Sequence, residues 1–194
     1  MKIRSFLAFD IPEELKTELG KLIALFSPKV RGIKWVKPEL IHCTIRFFGD
    51  VEEELAMGRL SRLIEQEVRH QAPFKLAGHG VGVFPNWRYP RVLWVGLQGE
   101  TETVISLHAR LEEAFTELGI RKDPRVLRVH LTLGRARAPF KDSEALVNMV
   151  EKMADTDLGE FTVDSLALYK SELTPQGPIY TVLKRFPLGG GAKK

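Results

Sequence analysis

The chain has 194 residues, 44% hydrophobic and 28% charged, a balance that excludes disorder as the main state and suits one domain. Its apolar runs are strand-sized, short of the roughly 20 residues a membrane helix needs, and Asp10 and Pro12 interrupt the N-terminus before a signal-peptide core is reached. A net charge of +4 tolerates a phosphate-bearing ligand without demanding one, and the single cysteine, Cys43, cannot form an internal disulfide. The expectation is a cytoplasmic monomer without a membrane partner.

Residues 2–9 alternate and read as a first strand, closed by Asp10, which is expected to cap a helix with Pro12 in its first turn. Leu15, Leu19, Leu22, Ile23 and Phe26 recur at helical spacing. Residues 27–32 break that helix, and strands follow at "IKWV" and "IHCTIRFFG", with "GD" as a turn. Residues 51–70 read as a second helix, acidic at its start and basic at its end, as the helix dipole prefers. "FKLAGHGVGVF" and "RVLWVGL" are strands around the loop "PNWRYP". A third helix is expected from Glu102 to Leu118, stopped by Gly119, then the strand "RVHLTLGRA" and a helix over 143–153. Two last strands, "FTVDSLALYKSEL" and "IYTVLKRF", are joined through "TPQG".

These elements predict an α+β fold: a bilobal, pseudo-twofold duplication with two antiparallel β-sheets flanking a central groove and helices packed outside. One such domain is expected over 1–186, with 187–194, "PLGGGAKK", as a flexible C-terminal tail.

The feature that carries chemistry is a repeated tripeptide. His42 and Thr44 stand two apart in one strand, and His130 and Thr132 in another. Residues two apart in a strand share a face, so His42, Thr44 and Arg46 line one side of the first strand, against Ile41, Cys43, Ile45 and Phe47. In the second, His130, Thr132 and Gly134 oppose Val129, Leu131 and Leu133. By pattern alone the histidines read equally well as polar residues on the wet face of a sheet or as a catalytic pair. Imidazole titrates near neutrality, so one can be neutral and its partner cationic. That combination opens a phosphodiester ring without a metal: one histidine takes a proton from water and the other gives one to the leaving oxygen. Thr44 and Thr132 can donate to the phosphate oxygens, and Gly134 leaves room for its approach.

Competing chemistry is weaker. Zinc takes three or four protein ligands, and no further His, Cys pair or nearby carboxylate completes a set, so no metal and no cofactor are expected. Cys43 turns away from His42 by alternation and reads as a core residue. His70 reads as a helix-end charge, His79 as structural and His108 as a helix-surface residue. Arg121, Lys122, Arg125, Arg128, Arg135, Arg137 and Lys141 concentrate charge around the second tripeptide, and charge alone favours a solvated face.

With these residues in hand, the chain resembles the two-histidine phosphoesterases, specifically the RNA 2′,3′-cyclic phosphodiesterases also described as 2′-5′ RNA ligases. The resemblance rests on "RSFLAFDIP", "KWVKPELIHCTIRFFGDV", "GVFPNWRYPRVLWVGL", "VHLTLGRA" and "LALYKSELTPQGPIYTVLKRF". It implies hydrolysis of a 2′,3′-cyclic phosphate at an RNA or nucleotide end, tRNA halves included, to a 2′-phosphate. His42 would protonate the 3′ oxygen and His130 would activate water, although the sequence is symmetric on that assignment. Thr44 and Thr132 carry over as phosphate ligands. Arg135 matches the basic residue after the second motif, yet alternation points it away from His130 unless the strand bends at Gly134. Arg46 is a second electrostatic candidate. Phe47 or Phe48 offers a base-stacking ring or packs in the core, and Tyr169, Ser171 and Tyr180 read as structural, at the groove's edge. Two alternatives stay open: a ligase joining the cyclic phosphate to a 5′-hydroxyl, and an RNA-end binding protein without turnover.

Overall fold

The computed structural model describes residues 1–136, 138, 143–153 and 155–189. Among them, nine strands form two sheets, and every pairing is antiparallel. The first runs in the order β3 (His42–Glu52), β1 (Lys2–Asp10), β8 (Ser165–Thr174) and β9 (Gly177–Pro187). The second runs β2 (Ile33–Trp35), β6 (His130–Ala136), β5 (Val92–Gly99), β4 (Phe74–Phe84) and β7 (Asp157–Val163). The α+β class is as expected. The sheets do not follow the halves of the chain, however, because β8 and β9 return to β1 while β2 crosses to β6.

Burial explains why β1 is central. Ile3, Leu7 and Phe9 face the main core, and Phe6 and Ala8 face a second apolar cluster with Ala167 and Tyr169 on the opposite side. A strand buried on both faces reads as a continuous apolar run, as "SFLAF" does. Helix α1 (Glu13–Phe26) buries Leu15, Leu19, Leu22 and Phe26, one stripe at helical spacing. The next helical stretch comprises α2 (Glu53–Leu55), a π-helical turn (Ala56–Leu60) and α3 (Ser61–Val68). Ser61 Oγ donates to the Ala56 carbonyl five residues earlier, at 2.7 Å, where the helix is widened. Helix α4 (Thr101–Thr116) buries Val104, Leu107, Leu111 and Phe115, and α5 (Ser143–Glu151) lies beside β4. Each fully buried Leu or Phe stabilises by about 1.5–3 kcal/mol, so these stripes fix the helices on the sheets. No helix of the described residues is long and apolar enough to cross a membrane.

Four local expectations change. Asp10 does not cap α1: Pro12 precedes the helix and no side chain caps it, while Asp10 ends β1. Gly49 and Asp50 continue β3 instead of turning, because β1 extends far enough to pair with them. The segment "FTVDSLALYKSEL" is two strands in different sheets, β7 and β8, with Asp164 at the crossing. The tail expected from residue 187 begins docked: Leu188 is buried and its N–H donates to the Asp164 carbonyl at 2.7 Å. Residues 190–194 lie outside the described residues.

Candidate active site

The two histidine strands meet where the sheets meet. β3 is an edge of its sheet and β6 lies beside it, so His42 and Cys43 on one strand stand close to His130 on the other. Cys43 is fully buried, and burial pushes its thiol up to about 12. It is thus the core residue expected.

Both imidazoles are held in the same way. His42 Nδ1 donates to the Leu40 carbonyl at 2.8 Å, and His130 Nδ1 donates to the Arg128 carbonyl at 2.6 Å. A carbonyl only accepts, so Nδ1 carries the proton in each ring and Nε2 is left for chemistry. Each neutral ring is then a base at Nε2, and each protonated ring an acid there.

The walls around the rings are aromatic. His42 stacks on Phe6 with centroids 4.8 Å apart and meets Tyr180 edge-on at 5.3 Å. His130 meets Phe84 edge-on at 5.0 Å, and Phe84 packs against Trp94 at 4.9 Å. The Trp94 indole lies over Gly82, where a Cβ would sit 2.3 Å from it, so no other residue leaves room for that wall. Burial lowers the pKa of both histidines, since these walls disfavour the cation.

One carboxylate breaks the symmetry. Asp10 pairs in register with His42 across β1 and β3, and its charge opposes the fall in the His42 pKa. Asp10 is held by Arg185 at 2.8 Å and accepts a short hydrogen bond from the Tyr169 hydroxyl. Arg135 pushes the pKa of both rings down further, so Asp10 is the charge that sets them apart.

Arg46 and Arg135 exchange places relative to simple alternation, and β-bulges are the reason. In β6, Leu93 pairs with Gly134 but Trp94 pairs with Thr132, so Leu133 is an extra residue. The extra residue reverses the phase and turns Arg135 to the His130 face. There its Nη2 donates to Thr132 Oγ1 at 3.3 Å. In β3, Leu7 pairs with Arg46 but Ala8 pairs with Thr44, so Ile45 is extra. This bulge sends Arg46 away from the His42 face, contrary to the expectation that it borders the phosphate. Its guanidinium reaches Glu112 at 2.9 Å and Asp123 at 3.2 Å, and donates to the Arg121 carbonyl at 2.6 Å. That network ties down the irregular segment leading into β6. Phe47 takes the groove face instead, 37% exposed with Arg4 4.5 Å over its ring, while Phe48 packs edge-on against Phe115.

Other assignments are revised by the same geometry. A Cβ on Gly134 would sit 2.4 Å from Ile33 Cγ2, so this glycine serves the packing of β2 and not a phosphate. His108 is not a surface residue: it lies 3.7 Å from Glu112, beside the buried Arg46 network. His70 falls beyond the end of α3 and accepts from Arg69 Nε at 2.8 Å. Of the basic concentration, Lys122 pairs with Glu113 and Arg125 with Asp123, while Arg137 and Lys141 lie outside the described residues. Asp10, Phe6, Phe84 and Trp94 are site residues that sequence reasoning missed. The alternation Phe6, Ala8, Asp10 put Phe6 and Asp10 on one face, but only strand pairing sets that face beside His42, as it sets Phe84 and Trp94 beside His130. Among the described residues, no three His, Cys, Asp or Glu side chains converge as metal ligands.

Two antiparallel sheets thus meet along β3 and β6, the strands that carry His42 with Thr44 and His130 with Thr132. Residues 29–175 match the model of the 2′-5′ RNA ligase superfamily, and the chain belongs to that family. It is 36% identical over 188 residues to the RNA 2′,3′-cyclic phosphodiesterase of Methanothermobacter thermautotrophicus, covering 97% of this chain and 100% of the relative. The protein of the same name from Methanocaldococcus jannaschii is 38% identical over 184 residues, covering 95% and 100%. A crystal structure of a Thermus thermophilus protein superposes with a TM-score of 0.78 at 31% identity, over 97% of this chain and 100% of that one. Escherichia coli LigT complexed with 3′-AMP superposes with a TM-score of 0.76 at 25% identity, over 97% and 99%.

Proposed function

We propose that this chain is an RNA 2′,3′-cyclic phosphodiesterase that opens the cyclic phosphate of an RNA or nucleotide end to a 2′-phosphate, without a metal. The observation that carries the mechanism is the pair of Nδ1 hydrogen bonds, which leave two Nε2 atoms for proton transfer on one groove. His130 Nε2 takes a proton from water as the water oxygen attacks phosphorus. The bond to the ribose 3′ oxygen breaks on the opposite side, and His42 Nε2–H supplies the proton that oxygen needs. One proton enters the pair and one leaves it, so the two histidines exchange protonation states and reset through solvent. Asp10 supports this direction, because its charge favours the cationic form of His42, whereas Arg135 disfavours the cation on both rings and so does not distinguish them. Thr44 and Thr132 donate to the phosphate oxygens as charge develops, and Arg135 adds its cation. Arg46 has no part in it. Phe47 presents a ring on which the terminal base stacks.

A single chain carries both histidines, so a monomer suffices, and tRNA halves with cyclic ends are substrates of the right chemistry. The test is an RNA oligonucleotide ending in a 2′,3′-cyclic phosphate, incubated with protein in EDTA, with the terminal phosphate of the product located. The expected product is a 2′-phosphate, and His42→Ala or His130→Ala is expected to slow its formation by about 10²–10⁴-fold. A 3′-phosphate product, or activity abolished by EDTA and restored by zinc, overturns the mechanism. A joined RNA from an added 5′-hydroxyl end identifies ligation, and binding without turnover identifies an RNA-end reader.

A further inference from the structure

The wall that holds His130 continues into an exposed loop that the reaction above does not use. Phe84, edge-on to His130, is the last residue of β4, and the chain then crosses residues 85–91 before β5. Along the sheet, Phe84 pairs with Val92 and Val92 with Arg135, so the loop leaves the sheet at the row that holds Arg135. Its ends are pinned: Arg91 N–H donates to the Phe84 carbonyl at 2.7 Å, and Ala136 N–H to the Arg91 carbonyl at 2.7 Å. Asn86 Oδ1 accepts from the backbone of Arg88 at 3.1 Å and of Tyr89 at 3.0 Å, which orders the tip.

On this ordered tip two large aromatic rings face solvent, Trp87 at 41% and Tyr89 at 50% exposed. Arg88 lies 5.4 Å over the Tyr89 ring, and Arg128 lies 5.8 Å over Phe84. Neither forms an ion pair among the described residues, nor do Arg91 and Arg135, whereas Arg46, Arg125 and Arg185 are each neutralised by a carboxylate. Core packing does not use these rings, and among the described residues no carboxylate pairs with the cations around them. Exposed aromatic faces interleaved with free guanidinium groups match single-stranded nucleic acid, whose bases stack and whose phosphates pair with cations.

We propose that the 85–91 loop, with Arg128, binds the single-stranded RNA that precedes the cyclic end, Trp87 and Tyr89 stacking bases and Arg88 and Arg128 meeting phosphates. The inference rests on the proposed reaction, with the consequence that an oligonucleotide is a better substrate than a cyclic mononucleotide. The experiment compares 2′,3′-cyclic AMP with a ten-nucleotide RNA ending in a 2′,3′-cyclic phosphate, for wild type, Trp87→Ala/Tyr89→Ala and Arg88→Ala. Loss of stacking is expected to raise KM for the oligonucleotide about 10- to 100-fold, with kcat unchanged. Hydrolysis of cyclic AMP is expected to be the same in all three proteins, which also establishes that the variants fold. Trp87→Phe/Tyr89→Phe is expected to restore the oligonucleotide KM, and Arg88→Ala to flatten its dependence on salt.

The same oligonucleotide with a 2′-phosphate end, labelled and titrated by fluorescence anisotropy, reads the surface without turnover. Weaker binding by the double alanine variant supports the loop even if wild type hydrolyses nothing, in which case only the reaction fails. Equal oligonucleotide KM and equal anisotropy in wild type and the double variant, with cyclic AMP still hydrolysed, overturns the loop and leaves the reaction standing.

Discussion

Replacing Arg46 separates structure from catalysis in this site. The side chain is 8% exposed and spans three acceptors: Glu112, Asp123 and the Arg121 carbonyl. Removing one partner of a buried ion pair costs about 3–5 kcal/mol, because the remaining charge stays buried without compensation. The Arg46→Ala loss falls toward the lower end, about 3 kcal/mol, because Asp123 keeps Arg125 and Glu112 keeps the Asp123 N–H. For a chain of this size that corresponds to roughly 6–12 °C in Tm. Urea unfolding followed by tryptophan fluorescence measures it, with KM for a cyclic nucleotide taken where the variant is still folded. The expected pattern is a large stability loss with unchanged KM, and Arg46→Met/Glu112→Gln is expected to recover part of the loss, since the stranded charge is then gone too. A stability loss under about 1 kcal/mol, or a raised KM at unchanged stability, would refute the reasoning and return Arg46 to the phosphate.

Arg135→Ala is expected to do the opposite, lowering kcat/KM about tenfold or more with little change in urea midpoint, because its guanidinium shares the His130 face and, among the described residues, hydrogen-bonds only Thr132. The pH profile of kcat/KM is expected to be bell-shaped with both limbs on the acid side of 6.5, since burial lowers both histidines. His130 must lose its proton, which sets the rising limb, and His42 must keep its own, which sets the falling limb. Asp10→Asn removes the charge that favours the His42 cation, so it should move the falling limb to lower pH and leave the rising limb in place. Stability should also fall as pH drops through 6.5, because the unfolded histidines bind protons there and the folded ones do not until lower pH. A urea midpoint that holds constant from about pH 7.5 to 5.5 would contradict this. Cys43 should resist iodoacetamide in the native protein and react once unfolded, and stoichiometric native labelling would place it outside the core.

The amino-acid sequence by itself carried the α+β class and the candidate histidine pair. Two His-x-Thr tripeptides in strands of period two, each with an apolar reverse face, were enough to bring forward His42, Thr44, His130 and Thr132 and to turn Cys43 inward. Helical spacing located α1 and α4 because their buried stripes are continuous along the chain. The residues that simple alternation misplaces share one cause. Alternation runs only as far as the next bulge, and whether Ile45 or Leu133 is extra depends on the register of β1 or β5, strands far away in sequence. Arg46 and Arg135 therefore exchanged faces, and Phe47 reached the groove, through pairings that no local pattern encodes. Asp10 followed the same rule: in sequence it precedes a helix and resembles a cap, and only the pairing of β1 with β3 puts its carboxylate across from His42. The histidines' identity was local, but the carboxylate that sets His42 apart from His130 is a neighbour that strand order supplied.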